Sequence, residues 1–178
     1  MSEVIINDAD SARVRNSDPD TNFYAPTLLP LKAEADYTHM WFIKFDLSGI
    51  STSGLTGVTI NVYVPEEGFV GVAAAYQRVT EDWDKETITW NNKPDVSATY
   101  ANSTSLFLWR EEWYRAHISL SEFELMVATN YGLRARPTQY YGAISSVCSS
   151  YYYDTTKRPY LKLTYAAAGS GQVIIFSE

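Results

Sequence analysis

The sequence holds one cysteine, Cys148, and two histidines, His39 and His117. A lone thiol closes no internal disulfide, and one thiol with two imidazoles falls short of a structural zinc site. Basic residues are also sparse. Lys and Arg number 14 against 21 Asp and Glu, a formal charge of -7, and the cations never gather into a run that a nucleic acid backbone could follow. No stretch approaches the ~20 consecutive apolar residues of a membrane helix; the longest, such as Gly68 to Tyr76, are strand-sized. An export signal needs a basic start, an apolar run and a small-residue cleavage site, whereas Met1-Ser2-Glu3 leads straight into Val4-Ile5-Ile6 and Asp8. Neither Gly54 with Gly57 nor Gly68 with Gly71 has the spacing of a phosphate-cradling loop. These absences exclude nucleic acid and membrane insertion and set the expectation of synthesis in the cytoplasm without a signal peptide.

Aromatics are plentiful. Fourteen Tyr, five Trp and seven Phe make up 15% of 178 residues, and aromatic side chains favour pleated, half-buried surfaces. Short apolar or β-branched runs recur between breaks of Gly, Pro, Asn, Asp and Ser, predicting strands at Glu3 to Ile6, Ala12 to Arg15, Met40 to Asp46, Thr59 to Val64, Gly71 to Val79, Thr87 to Trp90, Ser105 to Trp109, Arg115 to Ser119, Tyr140 to Val147 and Pro159 to Tyr165. Thr59 to Val64 and Tyr160 to Tyr165 alternate with period two, one face buried and the other wet. One helix interrupts the strands. Ser119-Leu120-Ser121-Glu122 fits a capping box, Leu120, Phe123, Met126 and Val127 fall on one face, and Asn130-Tyr131-Gly132 supplies a stop. The fold class is all-β, an antiparallel jelly-roll-like sandwich with one short helix over residues 1–165. Trp41, Phe45, Trp83, Trp90, Phe123 and Leu161 belong in or beside its core. Residues 166–178 form a small-residue linker and an apolar strand, Val173-Ile174-Ile175-Phe176, suited to pairing with an open sheet edge in assembly.

Four carboxylates, Glu81, Asp82, Asp84 and Glu86, crowd the segment Thr80 to Pro94 between Trp83 and Trp90. A glycosidic acid and base must face one substrate across ~5 to 9 Å, and neighbours on one polar loop usually point into water instead. Carboxylates that cap turns or lie in solvent around two tryptophan anchors are the expectation, and no catalytic residue is assigned. No cofactor is required. Calcium is the one metal kept open, at Asp18, Asp20 and Asn22, where oxygens alternate along Asp18-Pro19-Asp20-Thr21-Asn22, although Phe23 and Leu29 break the EF-hand pattern and an Asx-rich turn accounts for the same residues. For binding, Tyr151, Tyr152, Tyr153 and Asp154, together with Tyr140-Tyr141, offer apolar area with polar tips. On a strand, at least one tyrosine of each set points outward.

Phe45-Asp46-Leu47-Ser48 after an apolar strand, Val79 and Trp83 through Thr89-Trp90-Asn91-Asn92-Lys93-Pro94, Asn130-Tyr131-Gly132-Leu133 and Arg158 to Tyr165 appear in one order. In that order the chain resembles the DNRLRE-type domains, related to modules of methanogen disaggregatase and grouped with carbohydrate-binding modules. The resemblance implies a non-catalytic jelly-roll-like accessory module of surface, secreted and virion proteins, often in contact with polysaccharide. The chain departs from the family where Val147-Cys148-Ser149-Ser150-Tyr151 lacks the Glu of a Ser-Glu pair.

Two functions then compete. The first is a structural or decoration component of a phage-like virion or similar assembly, placed on the virion or an extracellular surface, with partners in a homo-oligomer or a capsid or tail shell and Val173, Ile174, Ile175 and Phe176 as its assembly residues. The alternative is a carbohydrate-binding module that contacts surface polysaccharide.

Overall fold

Alternation along the strands builds the sandwich. In β5 (Leu55–Val64), Val58, Ile60, Val62 and Val64 turn inward and are buried, while Thr59 and Tyr63 turn outward and are half-buried. The computed structural model of the chain describes residues 1–34, 36–66, 73–101, 106–107, 110–138 and 144–167. The remaining strands there are β1 (Ser2–Ile6), β2 (Ala9–Arg15), β3 (Leu28–Leu31), β4 (His39–Phe45), β6 (Ala73–Val79), β7 (Val96–Tyr100), β8 (Leu106–Phe107), β9 (Glu112–Ile118), β10 (Leu133–Pro137), β11 (Ser145–Cys148) and β12 (Tyr160–Tyr165), with α1 (Leu120–Thr129) after β9.

One sheet runs β1-β12-β5-β9, and the other β2-β4-β10-β6-β7 with β8 also on β6; β11 and β3 form a separate pair. The described pairings are antiparallel. Between the sheets lies a core that includes Trp41, Phe45, Ile60, Tyr76, Phe123 and Leu161. Ser119 caps α1, its Oγ accepting from the Glu122 N–H at 3.4 Å. The returning half of the capping box is diverted, because Arg78 Nε donates to Glu122 Oε2 at 3.0 Å. Phe123 and Met126 are the buried residues of the apolar face, while Leu120 is exposed. Asn130 ends the helix in the left-handed region, and Gly132, at φ 82°, passes so close to β4 that a Cβ would stand 2.2 Å from the Ile43 carbonyl oxygen.

The segment Thr87 to Trp90 is not a strand. Side chains have taken its backbone: Asn22 Nδ2 donates to the carbonyls of Lys85 and Ile88 at 3.0 and 2.7 Å, and Asn92 Nδ2 donates to that of Thr87 at 2.9 Å. The loop instead roofs the outer face of the β2-β4-β10-β6-β7 sheet, where Trp83 and Ile88 join Ala12, Val14, Phe42 and Val79 in a second core with Trp90 packed against it. The sequence pattern does not predict strands β3, β7 and β10. Pro30 interrupts β3, β7 mixes small and polar residues and is mostly exposed, and β10 alternates Leu133 and Ala135 with two arginines. The expected strand residues Gly71, Val72, Ser105, Leu108, Trp109 and Tyr140 to Ala143 lie outside the described residues, as does Val173 to Phe176.

Candidate functional site

The sequence candidates part company in the structure. Residues 149–154 form turns rather than a strand, so the tyrosines there do not simply alternate. Tyr152 is buried at 2% exposure and Tyr153 stands out at 76%. Their rings lie 4.3 Å apart, and the Tyr152 hydroxyl donates to that of Tyr153 at 2.9 Å. Tyr151 is half-buried and donates to Asp10 Oδ1 at 3.0 Å, an oxygen that also receives Lys85 Nζ at 2.6 Å. Asp154 caps the turn Thr155–Lys157, accepting from the Thr156 hydroxyl and amide at 2.6 and 3.0 Å. Those two bonds, the hydroxyl's first, hold its carboxyl below the ordinary carboxylate range.

At the calcium candidate, Asp18 pairs with Arg15 at 2.6 Å, Asp20 accepts from Asn91 Nδ2 at 2.8 Å, and Asn22 points its amide nitrogen at the 85–88 backbone. Asp20 and Asn22 therefore tie the 18–22 turn to the roofing loop. Among the described residues no group of three or more His, Cys, Asp or Glu is arranged to hold a metal ion. Three of the four roof carboxylates accept hydrogen bonds, and all four residues are exposed. Glu81 accepts from the Asp95 N–H at 3.0 Å, Asp84 from the Glu86 N–H at 2.6 Å, and Asp82 from the Trp83 N–H and Lys44 Nζ at 2.9 and 2.8 Å. Asp82 and Asp84 border an open cleft of about 480 Å³ lined also by Lys44, Trp83, Thr87, Ile88 and Asn92. Its tryptophan is 8% exposed, with the Lys44 ammonium 5.2 Å from the ring centroid.

A different arrangement occupies the outer face of the β1-β12-β5-β9 sheet. Register sets Tyr63 opposite Trp113, Asn61 opposite Arg115 and Thr59 opposite His117, and on the other side of β5 Tyr160 opposite Asn61 and Lys162 opposite Thr59. Antiparallel partners share a face, so β5, β9 and β12 deliver these side chains to one surface. Trp113 is the hub: its ring lies 5.5 Å from that of Tyr63 and 5.1 Å from that of Tyr160, both edge-on. It remains 36% exposed. Lys157 Nζ sits 5.0 Å from the Tyr63 ring centroid and 3.7 Å from Asp154, which carries the aromatic strip toward Tyr153. Desolvation, the largest single influence on the Lys157 ammonium, lowers its pKa, but the combined pull of Tyr63, Asp154, Tyr153 and Cys148 leaves it raised. Of the four sequence candidates in this region, Tyr153 is the exposed one beside the strip.

The sequence pattern alone does not single out Trp113, Tyr63 and Tyr160. The period-two run Thr59 to Val64 already put Tyr63 outward, but its partners lie on strands far along the chain, and only register unites them.

The outer face of this sheet thus carries one exposed indole between two half-buried tyrosines, flanked by hydrogen-bonding side chains. The chain belongs to carbohydrate-binding module family 96, whose family model matches residues 3–120. That match spans β5 and β9 and stops short of Tyr160 and the tyrosine turn. The family is one of non-catalytic binding modules. No curated protein matches the chain.

Proposed function

We infer that this protein is a non-catalytic module that holds polysaccharide on the face built by Tyr63, Trp113 and Tyr160. The observation that carries the reading is Trp113, left exposed at the junction of two tyrosines in a chain of a carbohydrate-binding family. Sugar rings present apolar C–H faces that stack on aromatic surface, and the hydroxyls around them bond to flanking polar groups such as Arg115, His117 and Thr59. Within the family, the TWNN-K-P and FDLS elements support placing the chain among DNRLRE-type domains. Family membership favours polysaccharide over the decoration-component reading, whose assembly residues Val173 to Phe176 lie outside the described residues. The test is retention in affinity gels cast with a panel of polysaccharides. Wild-type protein should be retarded by at least one, and Trp113→Ala should run as though the polysaccharide were absent. Equal retardation of both proteins would refute this face as the site.

A further inference from the structure

Arg13, Arg15 and Lys32 converge on His39 at one corner of the second sheet. Strand β2 sets Arg15 opposite His39, with Arg13 two residues along and so on the same face. From the other edge of β4, an isolated bridge sets Lys32 opposite His39. Rings fill the gaps: the Arg13 and Arg15 guanidinium carbons lie 4.7 and 4.6 Å from the Phe23 centroid, Lys32 Nζ lies 4.5 Å from that of Tyr37, and the Tyr37 and His39 rings are 4.7 Å apart. Two of the three cations have partners, Arg15 with Asp18 at 2.6 Å and Lys32 with Glu34 at 3.0 Å. Arg13 has no carboxylate partner among the described residues, and its Nε is buried without a hydrogen bond. Burial, then Arg15, lowers its pKa. His39 is buried as well, with neither ring nitrogen partnered. Buried charges and donors are ordinarily paired. The corner thus holds one uncompensated positive charge and donors with nothing to receive them.

We propose that this corner binds one small inorganic monoanion, of which chloride is the type, accepting hydrogen bonds from Arg13 Nε–H and from the His39 ring N–H. The charge left over on Arg13 sets the ligand's charge, since a dianion would replace one uncompensated charge by another of opposite sign. Burial sets its size. The unpaired atoms are closed to solvent, so a sugar residue within a polymer is too large to reach them, whereas an ion enters between side chains. A protein of formal charge -7 repels anions in general, so retention of one reports the field of this corner. Strands β2 and β4 belong to the opposite sheet from Trp113, which makes the site independent of the polysaccharide reading.

The experiment is chloride NMR line broadening on the full chain, with melting followed as sodium chloride replaces sodium gluconate, an anion too large to enter, at constant ionic strength. Wild-type protein should broaden the chloride line, and its Tm should rise with chloride as mass action on a folded-state site requires. Arg13→Met, which removes the charge and one donor, should bind chloride about tenfold or more weakly and lose the chloride-dependent rise in Tm. Should Arg13→Met fail to fold, His39→Phe takes its place with the same expectation. Broadening by the variant equal to that of wild type overturns the inference, as does a wild-type protein that neither broadens the line nor gains stability from chloride. Retention of polysaccharide by Arg13→Met should match wild type, so failure of this inference and failure of the aromatic face as a binding surface are read separately.

Discussion

Trp83 and Trp113 both lie on the outer side of a sheet, yet Trp83 is 8% exposed and Trp113 is 36% exposed. Trp83 arrives on a loop that folds back over β2 and β4, where its ring packs 5.8 Å from that of Phe42 and its Nε1 donates to the Tyr131 carbonyl at 2.8 Å. Trp113 arrives on β9 itself, with tyrosines for neighbours and no roof above it among the described residues. The same residue type thus serves as core on one face and as surface on the other. What separates them is whether the chain spends a loop on covering the face. A sandwich needs its inner faces buried; the outer faces are free to be closed for stability or left open for a ligand.

The sharpest break of this comparison is Trp83→Ala. Emptying a buried site of that size should destabilise the fold by ~3 to 5 kcal/mol, seen as a lower midpoint in urea. Trp113→Ala should change stability by no more than about 1 kcal/mol. Similar midpoints for the two variants would mean that the roof is not a second core.

Acid acts on neither outer face first. His39 is buried on the inward side of its sheet, without a hydrogen-bond partner for either ring nitrogen. Burial, followed by the charges of Arg13, Arg15 and Lys32, pushes its pKa down to about 4 despite Asp18. The folded value lies below the unfolded ~6.5, so between these pH values the unfolded chain binds a proton that the folded chain refuses. Stability should therefore fall as pH drops from about 6.5 to about 4, by at most ~3 kcal/mol. His39→Phe should flatten that limb in urea titrations, and an unchanged slope would place the acid response elsewhere.

Much of the fold was legible because burial writes itself into the sequence with period two. Val58, Ile60 and Val62 announce β5, and Phe123 with Met126 announces α1. The Trp-rich loop misled because Thr87 to Trp90 has strand composition, and nothing in the pattern reveals that Asn22 and Asn92 consume its backbone hydrogen-bonding groups. The site was legible only in part. A run such as Tyr151-Tyr152-Tyr153 catches the eye by adjacency, but a turn buries its middle member. A surface made from Tyr63, Trp113 and Tyr160 is a product of pairing between distant strands, to which local periodicity is blind.

Next in size is the binding counterpart of the first variant. Removing an exposed aromatic at the centre of a contact typically costs ~2 kcal/mol or more of affinity. Trp113→Ala should therefore weaken polysaccharide binding at least ~30-fold, with Tyr153→Ala, at the edge of the strip, weakening it far less. Reversal of that order in affinity gels would move the site to the tyrosine turn.

The smallest expected effect tests whether the roof has a part in binding. Lys44 Nζ donates to Asp82 Oδ1 at 2.8 Å and to the Trp83 carbonyl at 2.9 Å, clasping the loop to β4 at the edge of the cleft. The Asp82 side chain is 73% exposed, so solvent screens the pair, and Lys44→Met should cost under ~1 kcal/mol. Hydrogen bonds from Lys44 and then from the Trp83 N–H hold the Asp82 carboxyl below the ordinary carboxylate range. A depressed folded pKa contributes stability above the unfolded value, ~3.9, that is lost as pH falls through the folded one. Lys44→Met should accordingly shrink the loss of stability below about pH 4, measured in the His39→Phe background so that the histidine does not contribute. Polysaccharide retention should be untouched, because Lys44 lies on the opposite sheet from Trp113. Were Lys44→Met to abolish retention while Trp113→Ala kept it, the roofed face and its cleft would be the binding surface, and the open aromatic face would be the one left without a ligand.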